Sequence, residues 1–327
     1  MTQNEIQLAV VIPAYKADYL AEALASLSAQ TDKRFKVYLC DDASPGPIEE
    51  ICRRYESELN LNYHRFSENL GGRSLVDQWQ RCIQLSSEPY VWLFSDDDVM
   101  EPECVGAFYA ALEKTESKFD LYRFNTLEIN AQGKVIKLYP PHPPVESVIE
   151  FAYHRLNRNR ESFISEYIFT RKAFDANDGM VKFPLAWCSD DASWITFAGD
   201  QGIYTIDGPK IYWRNSNVNI SFAAPDRRED KLEACGLYLA WLNQKFTSAA
   251  INKDLNIDSQ IFLECQKNWL LRQIRNQAPL WFGTWLKISK EQKFSCLGSP
   301  FGRFISVVLI DFNFLLSRIV AMLRNKA

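Results

Sequence analysis

Tyr90-Val91-Trp92-Leu93-Phe94-Ser95-Asp96-Asp97-Asp98-Val99-Met100 is the stretch on which the reading of this chain turns. Its five leading apolar residues, β-branched and aromatic, have the length and composition of a buried strand. They run into three consecutive carboxylates, and a helical pattern follows Glu101. Buried carboxylates are costly unless a cation or a set of donors pairs them, so a hydrophobic core does not accommodate three in a row. In an open α/β sheet, ligands bind at the carboxyl ends of the strands. Hard divalent ions such as Mg²⁺ take one or two carboxylates together with the oxygens of a substrate phosphate. The stretch therefore reads either as a metal–diphosphate site at the end of a central strand or as a solvated acidic loop capping the next helix.

Working outward, the chain alternates. Residues 8–12 form an apolar run closed by Pro13, the pattern of a parallel strand buried on both faces. Asp18 is placed to cap a helix in which Leu20, Leu24 and Leu27 recur at helical spacing. A second strand over 35–40 ends in Asp41-Asp42-Ala43-Ser44, a helix follows from Ile48, and residues 61–66 read as a third strand. The Glu68-Asn69-Leu70-Gly71-Gly72-Arg73 loop and a helix over 74–85 lead into the Tyr90 strand. This β-α-β-α-β-α-β order predicts a right-handed parallel sheet with helices on both faces. The acidic pair Asp41/Asp42 and the run Asp96–Asp98 then fall on the same sheet edge. A nucleotide needs acceptors for its base and ribose and a cation for its phosphates, and the two clusters supply one each. The Gly71-Gly72-Arg73 loop is a simple βα turn or a flexible loop that brings a guanidinium to a phosphate. Neither a GK[ST] phosphate loop nor a GxGxxG turn is present, which disfavours P-loop and dinucleotide-binding enzymes.

Farther on, strands are expected over 119–127 and 134–139 around an Asn130-Ala131-Gln132-Gly133 turn, then a stiff loop with Pro140, Pro141, Pro143 and Pro144. A helix over 146–156, a strand over 163–171 and two short strands over 203–206 and 210–213 complete this part. Between them lies a third acidic stretch, Trp187-Cys188-Ser189-Asp190-Asp191-Ala192-Ser193-Trp194. It reads as a helix cap, as a carboxylate beside apolar surface whose raised pKa suits it to act as a base, or as both.

Composition narrows the function classes. With 327 residues, 47% hydrophobic and 24% charged, the chain has the make-up of a globular protein with a full core. A net charge of −4 argues against general nucleic-acid binding. The eight cysteines are scattered without CxxC or zinc spacing, which suits a reducing, cytoplasmic setting. Residues 1–7 are polar and precede a strand directly, so no signal peptide is expected.

The segments Val10-Val11-Ile12-Pro13-Ala14-Tyr15, Leu39-Cys40-Asp41-Asp42-Ala43-Ser44, Ser95-Asp96-Asp97 and Ser189-Asp190-Asp191 occur in that order. Together they resemble the family 2 nucleotide-sugar glycosyltransferases over roughly the first 220 residues. The resemblance implies a GT-A fold, a Rossmann-like mixed and mainly parallel α/β sheet flanked by helices. It also implies inverting transfer of one sugar from a nucleoside-diphosphate donor, UDP being the common carrier, to an acceptor hydroxyl. By that resemblance Pro13, Ala14 and Tyr15 border the nucleotide, Asp42 or Asp41 binds the base, and Asp96 touches the ribose. Asp97, with Asp98 beside it, ligates Mg²⁺ or Mn²⁺, while Arg73 and Arg214 lie near the phosphates. Asp191 is the general base, supported by Asp190 and Trp187. A metal stabilises the leaving diphosphate, and one base with no covalent carboxylate gives inversion.

The chain also departs from the family pattern. Ser95 stands where the first Asp of DxD is usual, and Val76-Asp77-Gln78-Trp79 replaces the usual Ala-Arg-Asn. No QxxRW follows Asp191, which disfavours a processive synthase. A metal-dependent nucleotidyltransferase and a non-catalytic sugar-nucleotide-binding scaffold are the alternatives, the former leaving Asp191 without a role.

Residues 1–225 are thus expected to form the catalytic domain and 226–327 a helical appendage. Helical periodicity runs over 232–246 and 257–274, and residues 279–286 are rich in Trp and Phe. Residues 303–324 read as an in-plane amphipathic helix, with Arg303, Ser306, Asn313, Ser317 and Arg324 near one face and basic residues turned to anionic lipid. Peripheral contact at the inner face of the cell membrane would suit a lipid-linked glycan acceptor in bacterial surface-polysaccharide assembly. The competing expectation is docking on the protein's own core or in a homodimer.

Overall fold

A computed structural model describes residues 7–216, 227–280 and 282–324. The first part alternates as the pattern predicts: β1 (Leu8–Ala14), α1 (Leu20–Ser28), β2 (Phe35–Asp41), α2 (Ile48–Arg53), β3 (Leu61–Arg65), α3 (Leu75–Ile83) and β4 (Tyr90–Leu93). A two-residue strand, β5 (Val99–Met100), precedes α4 (Cys104–Lys114), and β6 (Leu121–Asn130) turns into β7 (Val135–Leu138). Then come β8 (Val145–Glu146), α5 (Val148–Asn157), β9 (Tyr167–Thr170), α6 (Arg171–Ala176), α7 (Ser189–Ala198) and β10 (Ile203–Asn215).

Among the described residues these strands form one sheet in the order β3-β2-β1-β4-β9-β6-β10-β5, with β7 on β6 and β8 on β10. β1, β2, β3 and β4 are parallel, and β9 enters antiparallel between β4 and β6, which makes the sheet mixed. The β1 run is apolar throughout because Leu8 to Ile12 have no exposed surface on either face. Trp92 and Phe124 stack in the core with centroids 5.1 Å apart.

Several local expectations change. The helix α1 starts after Tyr19 with no side-chain cap, so Asp18 does not cap it. Residues 164–166 are a 3₁₀ turn, which shortens the strand expected over 163–171 to β9. The two strands expected over 203–213 are one, β10, whose register with β6 shifts between Ile206 and Lys210. That shift absorbs Asp207-Gly208-Pro209, residues the sequence reading took as a break.

The chain divides into two compact units, Met1–Arg155 with Arg160–Lys182 and Ser189–Ala223, and Leu156–Asn159 with Phe183–Cys188 and Ala224–Ala327. The second unit is helical, built on α8 (Arg228–Lys245), α9 (Ser248–Leu255), α10 (Ser259–Asn276), α11 (Phe282–Lys290) and α12 (Pro300–Arg324). No helix among the described residues is long and apolar enough to cross a membrane.

Within that unit Arg303 of α12 does not take the lipid-facing place expected of it. Arg303 is buried, donating to the Glu291 carbonyl at 2.5 Å. Asp311 accepts from Trp285 Nε1 at 2.7 Å and from the Leu280 N–H at 2.8 Å. The outward stripe is apolar instead: Phe301, Ile305, Leu309, Phe312 and Leu316, spaced by four or three residues, are all exposed. The expected roles of Asn313, Ser317 and Arg324 fall on side chains outside those described.

Candidate active site

Three adjacent Asp at the end of β4 have three different environments. Asp96 Oδ2 accepts from the Tyr15 and Lys16 N–H groups at 3.0 and 3.1 Å, so it clasps the end of β1 to the end of β4. Asp97 Oδ1 accepts from Ser95 Oγ at 2.6 Å. Asp98 is 1% exposed, and its oxygens accept from Ser165 Oγ at 2.5 Å and the Arg214 N–H at 2.8 Å. Asp98, expected in the metal pair, therefore ties β10 and the 164–166 turn to the strand end. Burial, followed by the charge of Asp97, pushes Asp96 up to about 6. Burial also raises Asp97, and Asp98 is raised well above the carboxylate range by burial and the charge of Asp97.

Around them, Pro13 is half-buried, Ala14 is buried with its carbonyl accepting from the Asp42 N–H at 2.9 Å, and Tyr15 is exposed. Asp41 has no exposed surface. It accepts from Tyr63 OH at 2.7 Å, the Ser44 N–H at 2.8 Å and Arg65, and so organises the turn after β2. Asp42 Oδ1 takes the Leu70 N–H at 2.8 Å and Arg81, while Oδ2 takes only the Gly71 N–H at 2.8 Å and keeps acceptor capacity. Glycine at 71 is required by this approach, because a Cβ there would stand 2.8 Å from Asp42 Oδ2. Arg73 lies on the surface, paired with Glu68 at 2.7 Å, an exposed pair weak enough to exchange for another anion.

Arg214 departs most from its expected place. It is fully buried. Its guanidinium donates to the Asp97 carbonyl at 2.8 Å, to Glu22 at 2.6 Å and to the carbonyls of Asn130 and Ala131 at 3.3 Å. It holds the backbone of the acidic run from behind and leaves the phosphate role open.

On α7, Asp190 and Asp191 separate in the same way. Asp191 is buried, and Arg155 Nε donates to its two oxygens at 3.0 and 3.1 Å. Burial opposes the charge of Arg155, yet Asp191, Asp190 and Glu161 together raise its pKa. Asp190 is half-buried, and burial, then the charge of Asp191, pushes it up to about 7. Trp187 belongs to the second unit, where Lys231 Nζ lies 5.0 Å from its ring centroid.

A strand end with a clasped carboxylate pair and a helix start with a second pair invite comparison with known proteins. Residues 9–162 match the model of glycosyl transferase family 2. The match takes in β1 to α5 and both acidic strand ends, but not Asp190 and Asp191. Residues 1–349 of S. aureus TarS, solved in complex with UDP-GlcNAc, share the fold at a TM-score of 0.63 and 16% identity, with 95% of this chain and 92% of that one covered. The mannosyltransferase PcManGT from Pyrobaculum calidifontis, in complex with GDP-Man and Mn²⁺, gives a TM-score of 0.54 at 12% identity, covering 95% and 88%. The architecture is thus the GT-A fold with C-terminal helices. No curated protein matches the sequence.

The Mn²⁺ named with PcManGT raises a divalent ion as a candidate for the acidic strand end. Among the described residues no three His, Cys, Asp or Glu side chains cluster to hold one. Two carboxylates suffice where a diphosphate and water supply the other ligands. Asp96 Oδ1 and Asp97 Oδ2 have no hydrogen-bond partner among the described residues; desolvation raises both groups and the charge of Asp97 raises Asp96 further, a strain that a cation relieves. The pair that fits is Asp96 with Asp97. Lys16, Ser165 and Arg155 went unread in the sequence. Lys16 follows the Pro13-Ala14-Tyr15 motif directly and could have been found there. Arg155 lies 36 residues from Asp191, and no local pattern marks it.

Proposed function

We propose that the protein transfers one sugar, with inversion, from a nucleoside-diphosphate sugar, UDP being the expected carrier, to an acceptor hydroxyl. The observation that supports this most is the pair of half-open carboxylates, Asp96 and Asp97, fixed by Tyr15, Lys16 and Ser95 at the end of β4. Asp97 and Asp96 would hold Mg²⁺ or Mn²⁺, and the sugar nucleotides named with TarS and PcManGT suit that reading. When bound, the ion supplies Lewis-acid stabilisation of the charge developing on the leaving diphosphate.

The remaining roles belong to the chain itself. Pro13, Ala14, Tyr15 and the spare lone pair of Asp42 border the nucleoside, and Arg73 can release Glu68 for a phosphate. Asp190 takes the proton of the acceptor hydroxyl. This moves the base by one residue from the expected Asp191, because the Arg155 guanidinium already occupies both oxygens of Asp191. Asp191 then fixes the start of α7. One positioned base opposite the leaving group gives single displacement.

The acceptor is proposed to be a lipid-linked glycan, with the protein at the cytoplasmic face of a membrane. Supporting this is the apolar stripe on α12, beside which Phe282 is also exposed. An apolar helical face lying in the lipid interface needs no membrane span.

Calorimetric titration with UDP, GDP and CDP, with and without Mn²⁺, tests the donor reading. Mn²⁺-dependent binding of one of them, lost in Asp97→Asn, is expected. A folded protein that binds none would be a scaffold, and release of diphosphate from a nucleoside triphosphate would mark a nucleotidyltransferase.

A further inference from the structure

A line of polar contacts leads away from Asp191 within the first unit. Besides holding Asp191, Arg155 directs Nη1 to Glu161 at 3.6 Å, and Glu161 lies 4.0 Å from Lys137 Nζ. That ammonium sits 4.5 Å from the centroid of the Tyr139 ring, and Tyr139 OH donates to Glu128. The other Glu128 oxygen accepts from Asn215 Nδ2 at 2.8 Å. Three rings accompany the line. Phe163 stacks on Trp213 with centroids 4.6 Å apart and planes 24° apart, and Tyr139 leans on Phe163 at 5.4 Å.

These rings are half-buried, unlike the sealed core rings Trp92, Phe124 and Tyr167. Nothing in the donor chemistry uses them. β10 connects them to it, because alternate residues of a strand face opposite ways. Arg214 grips the Asp97 carbonyl from one face, while Trp213 and Asn215 lie on the other, Trp213 in register with Glu128 of β6.

Half-exposed aromatic surface edged by carboxylate and amide groups is suited to a molecule with an apolar face and a hydroxyl rim, which is the form of a pyranose. A sugar ring lays its C–H face on an aromatic plane and turns its hydroxyls to polar groups at the rim, here the half-buried Glu161 and the exposed Lys137. The charge balance selects further. Glu128, Glu161 and Glu166, all acting on Tyr139, outnumber Lys137 and Arg155 here, which opposes an anionic ligand. We infer that the Tyr139–Phe163–Trp213 patch is the subsite holding the terminal sugar of the acceptor glycan, and that it takes a neutral or amino sugar instead of an acidic one. This rests on the sugar-transfer reading above.

The test titrates the full chain, loaded with UDP and Mn²⁺, with chitotetraose, cellotetraose, mannotetraose and tetragalacturonate, followed by calorimetry and tryptophan fluorescence. At least one neutral oligosaccharide is expected to bind and to perturb the fluorescence. Trp213→Ala is expected to weaken it tenfold or more, and Trp213→Phe less, with UDP affinity unchanged within twofold. Unchanged UDP binding certifies that the variants are folded, and Tyr139→Phe supplies a milder change should Trp213→Ala fail to fold. Binding of UDP without any neutral oligosaccharide, tighter binding of tetragalacturonate, or Trp213 and Tyr139 variants that bind as the parent does would each overturn this subsite alone. Failure of UDP, GDP and CDP alike to bind would instead overturn the sugar-transfer reading.

Discussion

The acidic run after β4 and the acidic pair that opens α7 solve the same problem in the same way. Each is a set of adjacent Asp in which one member is turned inward and neutralised while a neighbour stays partly open with its proton held high. Asp98 is taken by Ser165 and Arg214, and Asp191 by Arg155, whereas Asp96 is pushed up to about 6 and Asp190 to about 7. Two like charges in one desolvated place resist joint ionisation. The inward residue needs its own donors before the outward one is free for chemistry. What differs is the donor. A hydroxyl and an amide hold Asp98 without a formal cation, while a guanidinium holds Asp191. The first arrangement leaves the open carboxylates attractive to a cation. The second confines positive charge to one side and leaves Asp190 suited to a proton.

The largest expected effect breaks that division at α7. Asp190→Asn should reduce transfer by about 10²- to 10⁴-fold, the usual loss on removing a general base, with donor affinity unchanged. Asp191→Asn should lower stability by about 1–3 kcal/mol through the lost bond to a charged partner, and lower transfer much less. Steady-state rates beside urea unfolding of both variants separate the two. The opposite pattern, with Asp191→Asn inactive and Asp190→Asn active, would return the base to Asp191.

At β4 the counterpart is Asp98→Ala, which strands the Ser165 hydroxyl and the Arg214 N–H. It should cost about 1–3 kcal/mol in urea unfolding while the Mn²⁺ dependence of nucleotide binding persists. Abolished Mn²⁺ dependence in a folded Asp98 variant would instead make it a ligand.

The pH profile sharpens the comparison more gently. A base must be deprotonated to act, and Asp190 titrates at about 7, so kcat should rise through pH 7 and level off above it. The rise should be missing from the residual activity of Asp190→Asn. A profile flat from pH 6 to 8 in the parent enzyme would remove Asp190 from the role. The smallest effect is expected for Ser95→Ala, which deletes one hydrogen bond to Asp97 worth about 0.5–1.5 kcal/mol, so Mn²⁺ affinity should fall by about tenfold or less in calorimetry.

The sequence carried the alternation from β1 to β4 and the edge on which the acidic clusters lie, because apolar runs and strand direction are local and periodic. It also carried the four ordered motifs. It did not carry the insertion of β9 between β4 and β6, since four residues, Tyr167–Thr170, contain no record of their partners. Nor did it separate Asp98 from Asp97 or Asp191 from Asp190. Letters alone make these pairs equivalent, and their difference lies in Ser165, Arg214 and Arg155, residues 36 to 116 positions away. The outward stripe of α12 was legible as amphipathicity, but which face meets the protein was decided by Arg303 and Asp311 finding partners inside.

One carboxylate joins positions 98, 165 and 214, and the Pro140–Pro144 loop hangs between the first two of those anchors. For an engineer this is a fixed survey point. The Pro140–Pro144 loop can be exchanged for that of a distant relative as a cassette, provided that Asp98, Ser165 and Arg214 are retained and that the segment from α5 to Glu161, which carries Arg155, is left as it is. Such a swap would change the surroundings of Tyr139 and leave the carboxylates at the end of β4 in place.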